Sequence, residues 1–263
     1  MHAAHIDRYE ARDSLLHRLD PRVKVVVTLL FILSNVLLPD GAWPAYLAAW
    51  LFLLLAVSLA RLSPLFVLRR SLLALPFVLA AVSVLFTVPG ETRLSWQIGT
   101  LSLTVSDQGL IRFGSILVRS WLSVQMAILL TATTQFPDLM HALRHLKVPA
   151  LLVAIIAFMY RYLSVLVDEA RRLLRAREAR SAQGPQGTAG RSLRWRAQVA
   201  GGMVGQLFLR SMERSDRVYG AMVARGYRGQ LLTMNPHVMG RPDWFMAAGA
   251  LLLLLTIQLI GRL

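Results

Sequence analysis

Cysteine is absent from this chain and lysine nearly so, with Lys24 and Lys147 the only two. The absence of cysteine excludes disulfides, thiol nucleophiles and thiolate metal sites. No Gly-x-x-x-x-Gly-Lys-Ser/Thr loop occurs, so the chain does not hold ATP by that device. The first 22 residues are too charged, and too poor in apolar residues, to read as a cleaved signal peptide. The apolar spans carry no central carboxylate or histidine, which a carrier moving ions through its own core would usually show.

Apolar residues are plentiful. They make up 56% of the 263 residues, and mean hydropathy is +0.52. They come in runs long enough for helices to cross a hydrocarbon core of ~30 Å. The runs are rich in Leu and Ala and do not alternate with polar residues, which selects helices over a barrel. Expected spans are Val23–Leu38, Ala42–Ala60, Ser71–Val88, Gly109–Thr131 and Trp244–Ile260. Asp20-Pro21 suits a helix start. The polar loop from Pro89 to Gln108 alternates enough at Leu101, Leu103 and Val105 to hold a small hairpin. Trp43, Trp50, Trp121, Trp195 and Trp244 read as interface or core anchors.

Arginine supplies most of the net charge of +15. In a soluble domain that excess would suggest nucleic acid, but no folded soluble module remains here to bind it, and no nucleic-acid partner is expected. The tail (Arg8, Arg12, Arg18, Arg22, Lys24) and the loop from Arg61 to Arg70 are basic. The turn at Asp40 has no Lys or Arg, and the loop Glu91–Asp107 has only Arg93. The positive-inside rule puts the N-terminus in the cytoplasm, and four spans return the chain there near Thr133.

The run Val148–Val167 would pass for a further span by hydropathy. Crossing there would place Asp168–Arg228 outside, a stretch with thirteen Arg and five acids, 13 − 5 = +8. Arg161 and Tyr162 also interrupt the run. It is therefore expected on the cytoplasmic side, in the interface and covered by protein. This gives an all-α membrane protein of the bacterial inner membrane, with five transmembrane helices and a cytoplasmic part of long helices. The divisions are 1–132 (tail and spans one to four), 133–241 (cytoplasmic helices) and 242–263 (last span).

Within the cytoplasmic part, one helix runs from Pro149 to Gln183 and a second from about Ser192 to Arg225. The loop Gly184–Gly190 joins them. Gly226 and Gly229 suit left-handed C-caps, and Gly201, Gly202 and Gly205 make a flat patch that another helix could approach. Each long helix ends on an arginine between small residues: Ala179-Arg180-Ser181 and Ala224-Arg225-Gly226. Small neighbours let a helix end sink into a groove where the guanidinium can meet a carboxylate. The alternative is that each arginine merely complements the negative end of its helix. Arg171 and Arg172 lie outside the motif and are expected to matter little. His141 and His145 share a helix face but lack a third ligand, so a solvated interfacial pair is expected and no metal or other cofactor. His2 and His5 are read as part of a mobile tail.

These features resemble the transmembrane T component of energy-coupling factor (ECF) transporters. The resemblance rests on Leu19-Asp20-Pro21-Arg22-Val23-Lys24 and on His141-Ala142-Leu143-Arg144-His145-Leu146-Lys147-Val148-Pro149. It rests also on the helix carrying Glu169-Ala170, Arg175-Ala176 and Ala179-Arg180-Ser181, and on Tyr219 to Tyr227. The head Ile6-Asp7-Arg8-Tyr9 looks like the cobalt-transport branch, with nickel or a vitamin as the alternative cargo. A glycine is frequent in the family where Ser181 stands. The resemblance implies five transmembrane helices with a cytoplasmic coupling domain of long crossed helices over 133–241. It implies a non-catalytic subunit that transmits motion between two ATP-binding cassette ATPase subunits and a substrate-binding membrane subunit. The two arginine motifs would seat in grooves of the ATPases, and membrane lipid would surround the spans.

The topology has a direct test. Cysteines introduced at Gln186 and Leu263 should differ in intact cells, an impermeant reagent labelling only Leu263→Cys. Labelling at Gln186→Cys would contradict five spans.

Overall fold

A computed structural model describes residues 9–72, 82–89, 92–98, 101–180, 193–229 and 239–263. Contacts divide the chain into two compact units, one of Asp7–Leu146 with Pro236–Leu263 and the other comprising Lys147–Asn235.

In the first unit α1 (Leu15–Arg18) is a single turn leading into α2 (Pro21–Leu37). Asp20 caps α2 by accepting from the Arg22 amide at 2.8 Å, and Pro21 takes the first helical position, where no amide proton is needed. After Gly41 comes α3 (Trp43–Leu59), apolar on every side. It ends on Arg61 in the left-handed region, φ 53°. The amides of Arg61 and Leu62 bond back to Ser58 O and Val57 O, and buried Leu62 closes the turn.

Residues 73–81, half of the third expected span Ser71–Val88, lie outside the described residues. Before them α4 covers Pro64–Ser71, where Pro64 again opens the first turn. After them comes the short α5 (Val84–Thr87). Strands β1 (Thr92–Ile98) and β2 (Leu101–Ser106) pair antiparallel from Thr92↔Ser106 to Ile98↔Leu101, with a bulge between Thr92 and Leu94. The expected hairpin is therefore present. Ser106 then caps α6 (Asp107–Thr133), which touches α2, α3, α4 and α5. A short α7 (Phe136–His145) packs on α2, and α10 (Arg241–Ile260) packs on α2 and α3.

The packing suits lipid. Phe31, Leu53, Leu122, Leu129 and Ile257 fill the centre, with Ala45, Ala49 and Ala60 letting α3 approach its neighbours. Leu29, Leu33, Leu51, Leu55, Leu252 and Leu255 point outward and are about half exposed or more. In water such a surface would aggregate; in a bilayer it is the solvated face. Among the described residues Asp107–Thr133, Ala150–Arg180 and Arg241–Ile260 are long and apolar enough to span a membrane, and α3 is a shorter apolar helix.

Polar ties mark the two ends of this bundle. At one end the buried Lys24 ammonium donates to Thr133 O (3.0 Å) and His17 O (3.2 Å), joining the start of α2 to the close of α6. The Asp20 amide donates to Asp243 Oδ1 (3.0 Å), whose Oδ2 accepts from Gly240 N (2.8 Å), so the start of α10 is held there too. At the opposite end Asp40 accepts from Arg119 Nη2 (2.6 Å), and Tyr46 Oη accepts from Arg119 Nε while donating to Pro39 O. Gln258 donates to Ser34 O (2.6 Å). Gly261 sits so close to Leu38 that a side chain would collide with it.

Asp243→Ala deletes both bonds and leaves the buried Asp20 amide unpaired, which should cost roughly 1–3 kcal/mol. A thermal melt in detergent should show a lower Tm, and an unchanged Tm would mean the tie is dispensable.

Candidate functional site

The second unit is built on α8 (Ala150–Arg180) and α9 (Leu193–Ala224). Both boundaries lie within three residues of those expected. Their interior is unlike that of the first unit. Along α8 only Val153, Ala154 and Glu169 are buried, and along α9 no residue is. Half-covered positions on α9 recur at three- and four-residue steps: Met203, Leu207, Ser211, Arg214, Val218 and Met222. Val204, Phe208, Met212, Tyr219 and Val223 stand more than half exposed. A Cβ added at Gly201, Gly202 or Gly205 would meet nothing within 4 Å.

Glu169 ties the two helices together. One carboxylate oxygen takes Arg172 of its own helix and the other takes Arg210 of α9, each at 2.5 Å. The hydrogen bond from Arg210 outweighs burial and, with the charges of Arg172, Arg210 and Arg214, holds the Glu169 carboxyl below its ordinary value of 4.5. Arg171 pairs loosely with Asp168. The sequence reading treated Arg172 as a bystander; it is part of this link, because the i, i+3 step brings it over Glu169.

The motif residues lie at the free ends. Ala179 and Arg180 close α8 and are exposed, while Ser181 and the loop Gly184–Gly190 lie outside the described residues. Ala224 closes α9. Gly226 adopts φ +81°, the left-handed conformation foreseen for it. Its amide bonds to Val223 O (2.9 Å) and that of Tyr227 to Met222 O (3.0 Å), the paired bonds of a Schellman cap. The backbone carbonyls at this end are thus satisfied by backbone amides, and the exposed Arg225 guanidinium is not spent on capping them. Among the described residues neither Arg180 nor Arg225 has an ion-pair partner.

Other candidates fare differently. The His141 and His145 rings meet edge to face, centroids 4.7 Å apart; His145 is exposed as expected, but His141 is 8% exposed, so only one member of the pair is solvated. His141 is on α7, which packs on α2. Among the described residues no three His, Asp or Glu side chains gather as a metal site. His2, His5 and the head Ile6–Arg8 lie outside the described residues. The sequence reading missed the Glu169–Arg210 pair and the Asp40–Arg119–Tyr46 cluster. Arg119 within an apolar run and Asp40 as the single acid in its turn were the available signals.

The bundle with polar ties at both ends, with a second unit of two long open helices in the same chain, defines a polytopic α-helical membrane protein. It matches the cobalt transport protein family, CbiQ, over residues 12–237. The chain belongs to that family and is the transmembrane T component of an ECF transporter, a multi-pass bacterial membrane protein. Its relatives include proteins named energy-coupling factor transporter transmembrane protein EcfT. That of Lacticaseibacillus paracasei is 29% identical over 98% of both chains. That of Streptococcus thermophilus is 31% identical over 85% of each, and that of Heliobacterium modesticaldum 30% identical over 91% of this chain and 90% of its own.

A carboxylate whose pKa is lowered by folding stabilises above its unfolded value and loses that contribution as pH falls through the folded one. The α8–α9 link should therefore hold at pH 5 and loosen only well below 4.5. Spin labels at Leu174→Cys and Ser215→Cys, both exposed positions, should give one narrow distance distribution down to pH 5 and a broad one at the acid extreme. Broadening already between pH 7 and 5 would contradict the link.

Proposed function

We propose that this chain couples ATP hydrolysis by two ATP-binding cassette subunits to a substrate-binding membrane subunit, for import of cobalt ion. The observation that carries the proposal is the pair of exposed arginines, Arg180 and Arg225, without an ion-pair partner among the described residues, at the ends of two helices pinned to one another. The cobalt assignment is supported by the family's description. In this reading the chain performs no catalysis and binds no cofactor; cobalt is the cargo, selected by the partner membrane subunit.

The proposal places five crossings in the first unit's segments and none in α8. Support comes from the bundle's ties. Thr133 and Asp243 are both held at the end where α2 begins, so the chain leaves the bundle and returns to it at one end. The intervening segment therefore crosses an even number of times. If α8 crossed, α9 would have to bring the chain back, carrying Arg210, Glu213, Arg214, Asp216 and Arg217 through the bilayer. Each such charge costs ~2.5–3.5 kcal/mol at the bilayer centre on insertion scales. Zero crossings is the cheaper solution, and the basic end, with Arg12, Arg18, Arg22, Lys24 and Arg61, is the cytoplasmic one.

Removing one partner of a desolvated, hydrogen-bonded charge pair costs ~2–5 kcal/mol, about 30- to several-thousand-fold in affinity. Two motifs on one chain make the second contact intramolecular. Arg180→Ala or Arg225→Ala alone should weaken co-purification of the ATPases, and the double change should abolish it together with uptake. Arg→Lys should rescue poorly, since an ammonium lacks the bidentate fork. Arg175→Ala is the control, because Arg172 serves Glu169. A double variant that keeps its ATPases at wild-type yield would contradict the docking role of both arginines.

A further inference from the structure

The two coupling helices have little to hold them side by side. Beyond Ala154, Glu169 is the one buried residue of α8, and α9 buries none. Most large apolar side chains of α9 face away from any cover. Apolar burial, which usually fixes how two helices cross, is thus shallow in α9, limited to half-covered side chains such as Met203, Leu207, Val218 and Met222. What joins them is a carboxylate shared between two guanidinium groups, one from each helix, with Arg214 one turn beyond Arg210 adding its charge.

That link is also placed where it governs the motifs. Arg180 stands eleven residues past Glu169, and Arg225 fifteen past Arg210, arms of about 16 and 22 Å at 1.5 Å per residue. A rotation of about 10° at the pin displaces the far end of the longer arm by about 4 Å. A hydrogen-bonded ion pair fixes the point of contact through direction and charge, yet leaves the helices able to turn about it. An apolar seam of interdigitated side chains would lock the angle as well.

We propose that Glu169 is a positioning residue, the pivot that, with Arg210, sets the separation of Arg180 and Arg225 and lets motion at one motif be felt at the other. This rests on the reading that both motifs dock on ATPase subunits. Glu169 touches no nucleotide or cargo; it acts through the geometry of the helix pair. Arg172 steadies the carboxylate from its own helix and is secondary, because it does not bridge.

The test uses the full chain co-expressed with its ATPases and substrate-binding subunit. Spin labels at Leu174→Cys and Ser215→Cys report the helix pair without interference, as the chain has no cysteine of its own. In Glu169→Ala the inter-label distribution should broaden. The ATPases should still co-purify at no less than the level of the single Arg180→Ala variant, and ATP hydrolysis should persist while cobalt uptake falls at least tenfold. The exchange Glu169→Arg with Arg210→Glu restores an ion pair in reverse; it should narrow the distribution again and bring uptake back to within about threefold of wild type. Loss of mere folding would not be repaired this way. A narrow distribution in Glu169→Ala, uptake that stays coupled there, or an exchange variant that fails to recover either property overturns the proposal. Failure of the docking reading shows separately: the Arg180→Ala, Arg225→Ala chain would retain its ATPases whatever the labels report.

Discussion

The charged knot at the start of α2 is the constraint on which the rest depends. Lys24 is taken into the bundle with its ammonium on two backbone carbonyls, Thr133 O and His17 O, and Asp20 offers its amide to Asp243. A buried ammonium is costly unless its protons are placed, and here the bonds also draw the close of α6 and the start of α10 to the same level. With those two points fixed, the close of α6 and the start of α10 lie at the same end of the bundle. In the topology proposed above, that basic end and the basic stretch Asp168–Arg228 both face the cytoplasm, which agrees with the membrane's asymmetry.

The two units answer different physical problems. In the bundle, packing relies on alanines and close contacts such as Gly261 on Leu38. Leucines on the outside face lipid at no penalty. In the coupling unit, long helices stay largely uncovered and are pinned by charge instead of a core. A surface that open, carrying Val204, Phe208 and Tyr219 outward, is suited to meeting other subunits, and isolated stability is not what its sequence optimises.

Much of this was legible in the residues. Asp20-Pro21 marked the start of α2, the apolar runs marked the helices to within a few residues, and Gly226 announced the end of α9 because only a left-handed residue can close that turn cheaply. What was not legible depended on distance along the chain. Glu169 and Arg210 are 41 residues apart and Asp40 and Arg119 are 79 apart; no local pattern links such pairs. His141 looked like one of a solvated pair because helical spacing tells which residues share a face but not which face is covered. Arg172 looked idle for the same reason.

The central claim is that one chain engages two ATPase subunits through its two helix ends. Photo-crosslinking residues placed at Ala179 and Ala224, beside the two arginines, test it most directly in the assembled transporter. The account expects a covalent product of one chain with two ATPase subunits when both positions carry the crosslinker, and one ATPase with either alone. Crosslinks from only one of the positions, or from both to a membrane subunit, would contradict it.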